Sequence, residues 1–561
     1  MNQQDTPPVK PKIERYFSLD HLPKWSLDEL STNDVLTGLL DHGLFAEKVP
    51  PCFTSKGLAA QAESLLGSLL DEANEKKLLK EINGKSHDYI RYEALRDINI
   101  PRHLGIPHPE SYSVQALAIK KHWDEVKEHC GKPTPPVSRI HVRHVGGGCI
   151  FEMNYKGSEH YQLEEDEIEW QAGAQFVVKA DIAACFPSIY THSIPWALHG
   201  RETAKNEKGL SKLSGNLLDK CTQNARDGQT NGLIIGPHAS NILSEIILTS
   251  IDYELLSKGY TKLKRHIDDY VFYADTYDEA ERFLKDLGLN LRAYEMSLNE
   301  KKTRILTLPR PSEENWTQEL NRFAFPKGDL VRFSTVRSFL DLALENAIAA
   351  GTSAPLNYAI KMLADDRDER PLNPRAKRLY IQEAINLALA YPYLVPLLDK
   401  YVFDKYGGEE TATKIAEFST SLVRLGARRL YPDTIAHAFY YALKHELLLQ
   451  IKEEDLLSVL TLDDCIANVL LLEYAAKHDL KKVQTAVSER AAKLKSGDSR
   501  DRDKHWLLIY QTWTENELRG NKQEFLATLK KQEFRFITVP AREVVNPVVK
   551  DSDFPDSIYS S

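Results

Sequence analysis

The chain lacks long apolar runs, and nothing in it approaches the roughly 18 residues that a membrane-spanning helix needs, so no membrane span is expected. It is also short of cysteine. Six occur in 561 residues (Cys52, Cys130, Cys149, Cys185, Cys221 and Cys465), none of them spaced as CxxC. That argues against a disulfide framework and for reduced thiols. Positive charge is not in excess either: 72 Lys and Arg stand against 81 Asp and Glu, a formal net charge of −9. Proteins that grip long duplexes neutralise phosphate with clustered Lys and Arg. The balance therefore implies a limited nucleic-acid footprint, or a nucleic acid that the protein makes or carries itself. The start, Met1 to Pro8, has no basic region and apolar core of a secretory leader, and a cytoplasmic protein is expected. Gly146-Gly147-Gly148 is not followed by Gly-Lys-Ser/Thr, so it is no phosphate loop. His141, His144 and Cys149 match no standard zinc spacing.

What is present is the composition of a folded protein, 42% hydrophobic and 27% charged, at a length that suits two or three domains. Residues 1–30 read as a flexible arm. From about 30 to 130 the chain reads as helical, with Leu65, Leu66, Leu69 and Leu70 at helix spacing. The run from Pro101 to Pro109 interrupts it as an extended, turn-rich segment, and a hairpin is expected from Arg139 to Met153. Strand and helix signals alternate between about 170 and 308, an α+β pattern. Beyond about 320 strand signals fade, and apolar residues recur at helix spacing, as in Ala436, Phe439, Ala442 and Leu443. An all-α, HEAT-like C-terminal domain is expected there, with no strict repeat period and a boundary near 315 in Pro309–Ser312. Residues 495–505 read as a solvated loop and 541–561 as a flexible tail.

The chemistry lies in acids. In His266-Ile267-Asp268-Asp269-Tyr270-Val271-Phe272-Tyr273, two adjacent carboxylates sit between apolar residues and β-formers. Consecutive Asp residues suit a tight turn better than a strand, which predicts a hairpin carrying both at its tip. Phe176-Val177-Val178-Lys179-Ala180-Asp181 is a β-type run that ends on a third acid, followed by a turn at Pro187. Three acids that repel one another without a cation are what two-metal phosphoryl transfer requires, and Mg²⁺ favours carboxylate oxygens. Between these pieces lies Asn231-Gly232-Leu233-Ile234-Ile235-Gly236-Pro237-His238-Ala239-Ser240, whose glycines let backbone approach a ligand. Ser240 is expected to cap the apolar helix that follows.

In order and spacing, the strand ending at Asp181, the Gly-Pro-x-x-Ser helix and the Asp268-Asp269 hairpin resemble motifs A, B and C of reverse transcriptases. Lys301-Lys302-Thr303 is similar to motif D. More narrowly, Leu104-Gly105-Ile106-Pro107-His108-Pro109 and Phe186-Pro187-Ser188-Ile189-Tyr190 through Trp196 resemble the abortive-infection (Abi) and related defence-associated bacterial enzymes. The resemblance implies a fingers region over 31–170, a palm over 171–315, and a helical domain over 316–540 in place of a conventional thumb. It implies Asp181, Asp268 and Asp269, with the Ile182 carbonyl, as ligands of two Mg²⁺ ions, with Mn²⁺ as the alternative. Phe186 would be the steric gate that favours dNTPs, Lys302 a general acid for pyrophosphate, and Arg139 and Arg143 contacts to the triphosphate. Asn231 and Gly232 would lie at the incoming nucleotide. Asn231 and His266 depart from the family's usual Gln and aromatic, which bears on ordinary templated copying more than on catalysis.

The implied activity is DNA synthesis from dNTPs in antiphage defence, protein-primed (Tyr16 and Tyr559 being candidates) and untemplated, or directed by a small non-coding RNA. A homo-oligomer is expected. Two alternatives stand beside it: a conventional RNA-templated enzyme of the retron or intron kind, and a catalytically silent nucleic-acid-binding scaffold.

Overall fold

The computed structural model describes residues 30–45, 48–97, 100–134, 136–138, 142, 149–150, 167–311, 314–325, 330–364, 371–406 and 408–539. The expected arm up to residue 29 and the tail, with Tyr16 and Tyr559, lie outside the described residues. So do Arg139, His141, Arg143, His144 and the three glycines of the expected hairpin.

Helices open the described chain, beginning with Thr32–Asp41, which Ser31 and Asp34 close with a capping box. The helical reading fails at β1 (Tyr89–Arg96), which pairs antiparallel with β2 (Ile100–Pro107) from Tyr89↔Pro107 to Arg96↔Ile100. The cause is a two-residue period: Ile90, Tyr92 and Ala94 are buried on one side of the strand, while Arg91 is exposed on the other.

The central sheet has the order β4-β5-β3-β6, built from β3 (Phe176–Asp181), β4 (Leu263–His266), β5 (Asp269–Ala274) and β6 (Arg304–Thr307). All its pairs are antiparallel. Side chains alternate across a sheet, so the register sends Val178, Ala180, Tyr270 and Phe272 to one face and Lys179, Asp181, Asp269 and Val271 to the other. The first face is covered by the helices His238–Ser257 and Tyr277–Ala293, with Phe272 stacked on Phe283 at 4.5 Å. The acids lie on the opposite face.

After β6 every described element is helical, the longest being Phe333–Ala350 and Glu409–Arg429. The expected loop at 495–505 instead holds the short helix Ser499–Asp503. Asp503 is buried there because His87 and the Asp88 amide draw its carboxylate inward, at 3.2 and 3.0 Å. The helical half also returns to the start of the described chain. Thr54 N–H donates to the Phe536 carbonyl (2.9 Å), and Thr538 N–H donates to that of Cys52 (2.8 Å). One connected core runs from Leu30 to Phe536.

His87 lies between two carboxylates, Glu110 at 2.9 Å and Asp503 at 3.2 Å, with its ring stacked on His108 at 3.8 Å. Burial opposes its charge, but Asp503 and Glu110 outweigh that and hold its pKa up at about 9. His108 is pushed down to about 3, by burial first and then by His87, and stays neutral beside Gln523 (2.9 Å). A folded pKa above the ordinary value of about 6.5 means stabilisation that is complete below that pH and lost as pH rises through about 9. Thermal unfolding between pH 6.5 and 9 should therefore show a midpoint that declines in the unsubstituted chain and declines less in His87→Gln. Parallel pH profiles would remove His87 from this role.

Candidate active site

Each acid is placed by a backbone reason. Asp181 ends β3 and faces Asp269, the first residue of β5, across the ladder. Asp268 sits in the two-residue turn between His266 and Asp269, where Ile267 takes a left-handed φ of 56°. The Asp268 carbonyl accepts from Ile182 N–H at 3.1 Å, which ties the turn to the end of β3. The expected hairpin with carboxylates at its tip is thus present.

Asp181 is buried, 4% exposed, and both its oxygens are engaged. Asn299 Nδ2 donates to Oδ1 at 2.7 Å, and Lys302 Nζ donates to Oδ2 at 2.6 Å. Asn299 N–H also donates to the Asp181 carbonyl (2.7 Å). Burial raises the pKa of Asp268, and Asp181 adds to the rise. Burial, then the charges of Asp268 and Asp181, push Asp269 up to about 6. Two carboxyls whose ionisation is opposed, beside the buried Asp181 on which a lysine ammonium is seated, offer a cation the hard oxygen donors that Mg²⁺ prefers. Among the described residues, the groups that bring three ligand-type atoms within 4.8 Å of one another are His87–His108–Asp503 and Asp399–Asp404–His445, and the three aspartates are more widely spread than that. In both, hydrogen bonds and ion pairs already hold the acids: His87 on Asp503, and Lys444 on Asp399 (2.9 Å) and Asp404 (2.8 Å).

Phe186 lies in the single helical turn Cys185–Ser188 and is 8% exposed. Its carbonyl accepts from Leu233 N–H (2.8 Å), and Gly232 N–H donates to the Ile189 carbonyl (2.6 Å). These bonds bring the Asn231–Leu233 loop against the residues that follow β3. Gly232 has φ +88°, and a Cβ there would lie 2.9 Å from the Pro187 carbonyl oxygen, so only glycine fits without strain. Asn231 is exposed. Ser240 does not cap the following helix: His238–Ser257 starts after Pro237, with Ser240 inside its first turn and its N–H donating to the Pro237 carbonyl at 3.1 Å.

Two groups escaped the sequence reading. Arg265, fully buried, donates to both oxygens of Glu245 (2.9 Å each), to Asp252 (2.7 Å) and to the Ile267 carbonyl (3.0 Å). It fixes the acid turn to the helix His238–Ser257. Tyr270 OH completes the group by donating to Asp252 at 2.9 Å. The second group is Arg96 and Arg102, one near each end of the β1–β2 turn. Burial and the like charge of Arg96 lower the pKa of Arg102, while Asp268 acts on it from the acid row. Two exposed guanidiniums on one hairpin, one of them within the field of Asp268, suit a polyanion.

Residues 141–338 match a family model described as reverse transcriptase (RNA-dependent DNA polymerase). A reverse transcriptase domain is therefore present in this chain, and it includes all three acids. No curated protein matches the chain. Among solved structures, apo telomerase from Candida tropicalis truncated from its C-terminal domain aligns at 12% identity, TM-score 0.28, over 41% of this chain and 52% of that one. The chain thus spans about half the length of that relative. Apo telomerase from Candida tropicalis aligns at 11% identity and TM-score 0.29, over 76% of each chain. Telomerase from Candida albicans in complex with a fragment of telomeric RNA aligns at 11% identity and TM-score 0.26, over 81% of this chain and 69% of that one. These superpositions are too loose to carry an argument.

Proposed function

We propose that the chain is a reverse-transcriptase-like DNA polymerase that joins dNTPs to a growing DNA strand. A primer hydroxyl attacks the α-phosphate, the new phosphodiester forms, and pyrophosphate leaves. The observation that carries this reading is the pairing of Asp181 with Asp269 across the ladder, with Asp268 in the adjoining turn. The three carboxylates, with the Ile182 carbonyl, would hold two Mg²⁺ ions, Mn²⁺ being the alternative. When bound, such ions supply Lewis-acid activation of the attacking and leaving oxygens.

The chain's own groups do the rest. Arg102 and Arg96 hold the triphosphate, a role the sequence reading gave to Arg139 and Arg143. Lys302, already in contact with Asp181, gives a proton to the departing pyrophosphate. Phe186 presents its ring to the sugar and excludes a 2′-hydroxyl, and Asn231 and Gly232 line the nucleotide's approach. Phe186→Ala should then raise rNTP incorporation relative to dNTP by about tenfold or more, on the scale of one lost packing contact. Unchanged sugar discrimination would return Phe186 to the core.

The finer reading is antiphage DNA synthesis, protein-primed from a tyrosine such as Tyr16 or Tyr559, untemplated or directed by a bound small RNA, in a homo-oligomer with a HEAT-like helical half. It is supported by the resemblance of Leu104–Pro109 and Phe186–Trp196 to the defence-associated enzymes, and by the formal net charge of −9, which suits a limited nucleic-acid footprint. A conventional RNA-templated enzyme is the second reading, favoured by the description of the matching family model. The test uses purified protein, Mg²⁺ and labelled dNTPs without template, beside Asp268→Ala/Asp269→Ala. Label that the double variant loses and protease shifts supports protein priming. Synthesis that RNase abolishes points to a bound RNA, and synthesis only on added primer–template supports the second reading. No incorporation under any of these conditions overturns the polymerase reading.

A further inference from the structure

A two-stranded hairpin is at best marginally stable by itself, yet β1–β2, which carries Arg96 and Arg102, is joined through Gly105 N–H and the Ile235 carbonyl (2.9 Å) to the loop that packs on the end of β3. Its support comes from the helical half, at three levels. At the base, His87 precedes β1 and His108 follows β2. Asp503 takes the His87 ring and the Asp88 amide (3.2 and 3.0 Å), and Gln523 takes His108 (2.9 Å). At mid-height, Asp433 accepts from Tyr92 OH at 2.5 Å and from Leu95 N–H at 3.1 Å. Leu95 faces Pro101 across the hairpin, and proline has no N–H to give the ladder. At the turn, Asp97 accepts from Ser353 N–H (2.7 Å), Ser353 Oγ (2.9 Å) and Thr352 Oγ1 (3.2 Å), ahead of the helix Ala354–Ala364.

Asp433 is itself fixed. It lies in the first turn of the helix Pro432–Lys444, where a carboxylate is favoured, with His437 at 3.1 Å, and it is 3% exposed. Its two hydrogen bonds bracket the cross-strand pair Ala94↔Arg102 and stop one residue short of Arg96. On the other side, Gly105 N–H of β2 donates to the Ile235 carbonyl (2.9 Å), in the loop that follows Gly232. The hairpin is thus held between the nucleotide loop and the helical half.

We infer that the helical half sets the fingers: Asp433 and Asp503 are positioning residues that hold β1–β2 so that Arg102 meets the triphosphate. This rests on the polymerase reading and adds to it a task for residues more than 300 positions away in sequence. A side chain acting through Arg102 affects nucleotide capture, so its loss raises KM for dNTP more than it lowers kcat. Its effect also disappears once Arg102 is gone, the non-additivity that a double-mutant cycle reads.

The experiment measures dNTP incorporation by the full chain bearing Asp433→Asn, Arg102→Gln or both, with Tyr92→Phe as the milder break of the same contact. The expected result is a dNTP KM raised about tenfold by Asp433→Asn, the scale of one hydrogen bond to a charged group, with kcat nearly kept. Less than about a twofold further change is expected in the Arg102→Gln background. If Asp433→Asn does not fold, Tyr92→Phe carries the cycle. Equal losses in both backgrounds, or a fall in kcat alone, would overturn the inference. Amide exchange over residues 89–107 gives a readout independent of catalysis, and should quicken around Leu95 in either variant. Unchanged exchange sinks the inference, whereas an unsubstituted chain that incorporates nothing sinks the polymerase reading instead.

Discussion

Asp181→Asn should abolish nucleotide incorporation while the protein stays folded. The loss follows from where the oxygens are. Asp181 is the buried member of the acid row, and one of its oxygens already holds the Lys302 ammonium. An amide of the same shape removes the charge that would bind a divalent ion. Removing even outer partners of a metal ligand costs about 10–100-fold, so removal of a ligand's charge should exceed about 100-fold. The fold should survive because little stability is at stake. The Lys302 side chain is 58% exposed, and exposed ion pairs contribute about 0–1 kcal/mol. Asn299 can still donate to the remaining carbonyl oxygen. Label incorporated per hour and the thermal midpoint, measured on the same preparation, check both halves. Activity within a few fold of the unsubstituted chain would remove Asp181 from the site.

Arg265→Leu should damage the fold, and the activity with it. It takes the cation from between Glu245 and Asp252, both buried, and it frees the Ile267 carbonyl in the acid turn. Breaking a buried ion pair by deleting one partner costs about 3–5 kcal/mol, mostly for the charge left behind. Burial already holds the Asp252 pKa above its usual value despite Arg265, so the strain without Arg265 is greater. Neutralising the partners as well, in Arg265→Leu/Glu245→Gln/Asp252→Asn, should restore much of the stability. It should not restore activity, because nothing then holds the turn. Urea unfolding followed by tryptophan fluorescence measures the first effect and dNTP incorporation the second. An active, stable single variant would show that the turn needs no such tie.

The acid row was legible because its signal is local. Two acids between β-formers admit few conformations, and a β-run ending in Asp181 pairs naturally with them. The sheet around it followed from the same alternation. β1 was legible too, from Ile90, Tyr92 and Ala94, but its short period was lost among helical neighbours. Arg265 was not, since a lone arginine in Lys262-Leu263-Lys264-Arg265-His266 looks like surface. The readable clue lay elsewhere: Glu245 and Asp252 stand seven residues, or two turns, apart on a helix buried along most of its length. Ser240 was misread because a serine near a helix start is a common cap, and Pro237 had already set the boundary. The contacts of Asp433 and Asp503 with β1 and the residues before it had no local trace, since nothing in a linear pattern reports which distant surface an aspartate will meet.

The His87–Asp503 contact joins residues 416 positions apart, and that has a consequence for the timing of synthesis. A ribosome adds about 5–20 residues per second, so the hairpin emerges on the order of 20–80 s before the residues that grip its base. During that interval the acids, their turn, the helix behind them and the Gly105–Ile235 contact are already made, while the base of the hairpin is still without Asp503 and Gln523. On the polymerase reading, a chain still being translated would therefore carry its acid row before the hairpin that presents Arg102 is fully held. On that reading, full nucleotide capture would come only once Asp503 and Gln523 have left the ribosome, so a truncated product of stalled translation would be impaired rather than unregulated.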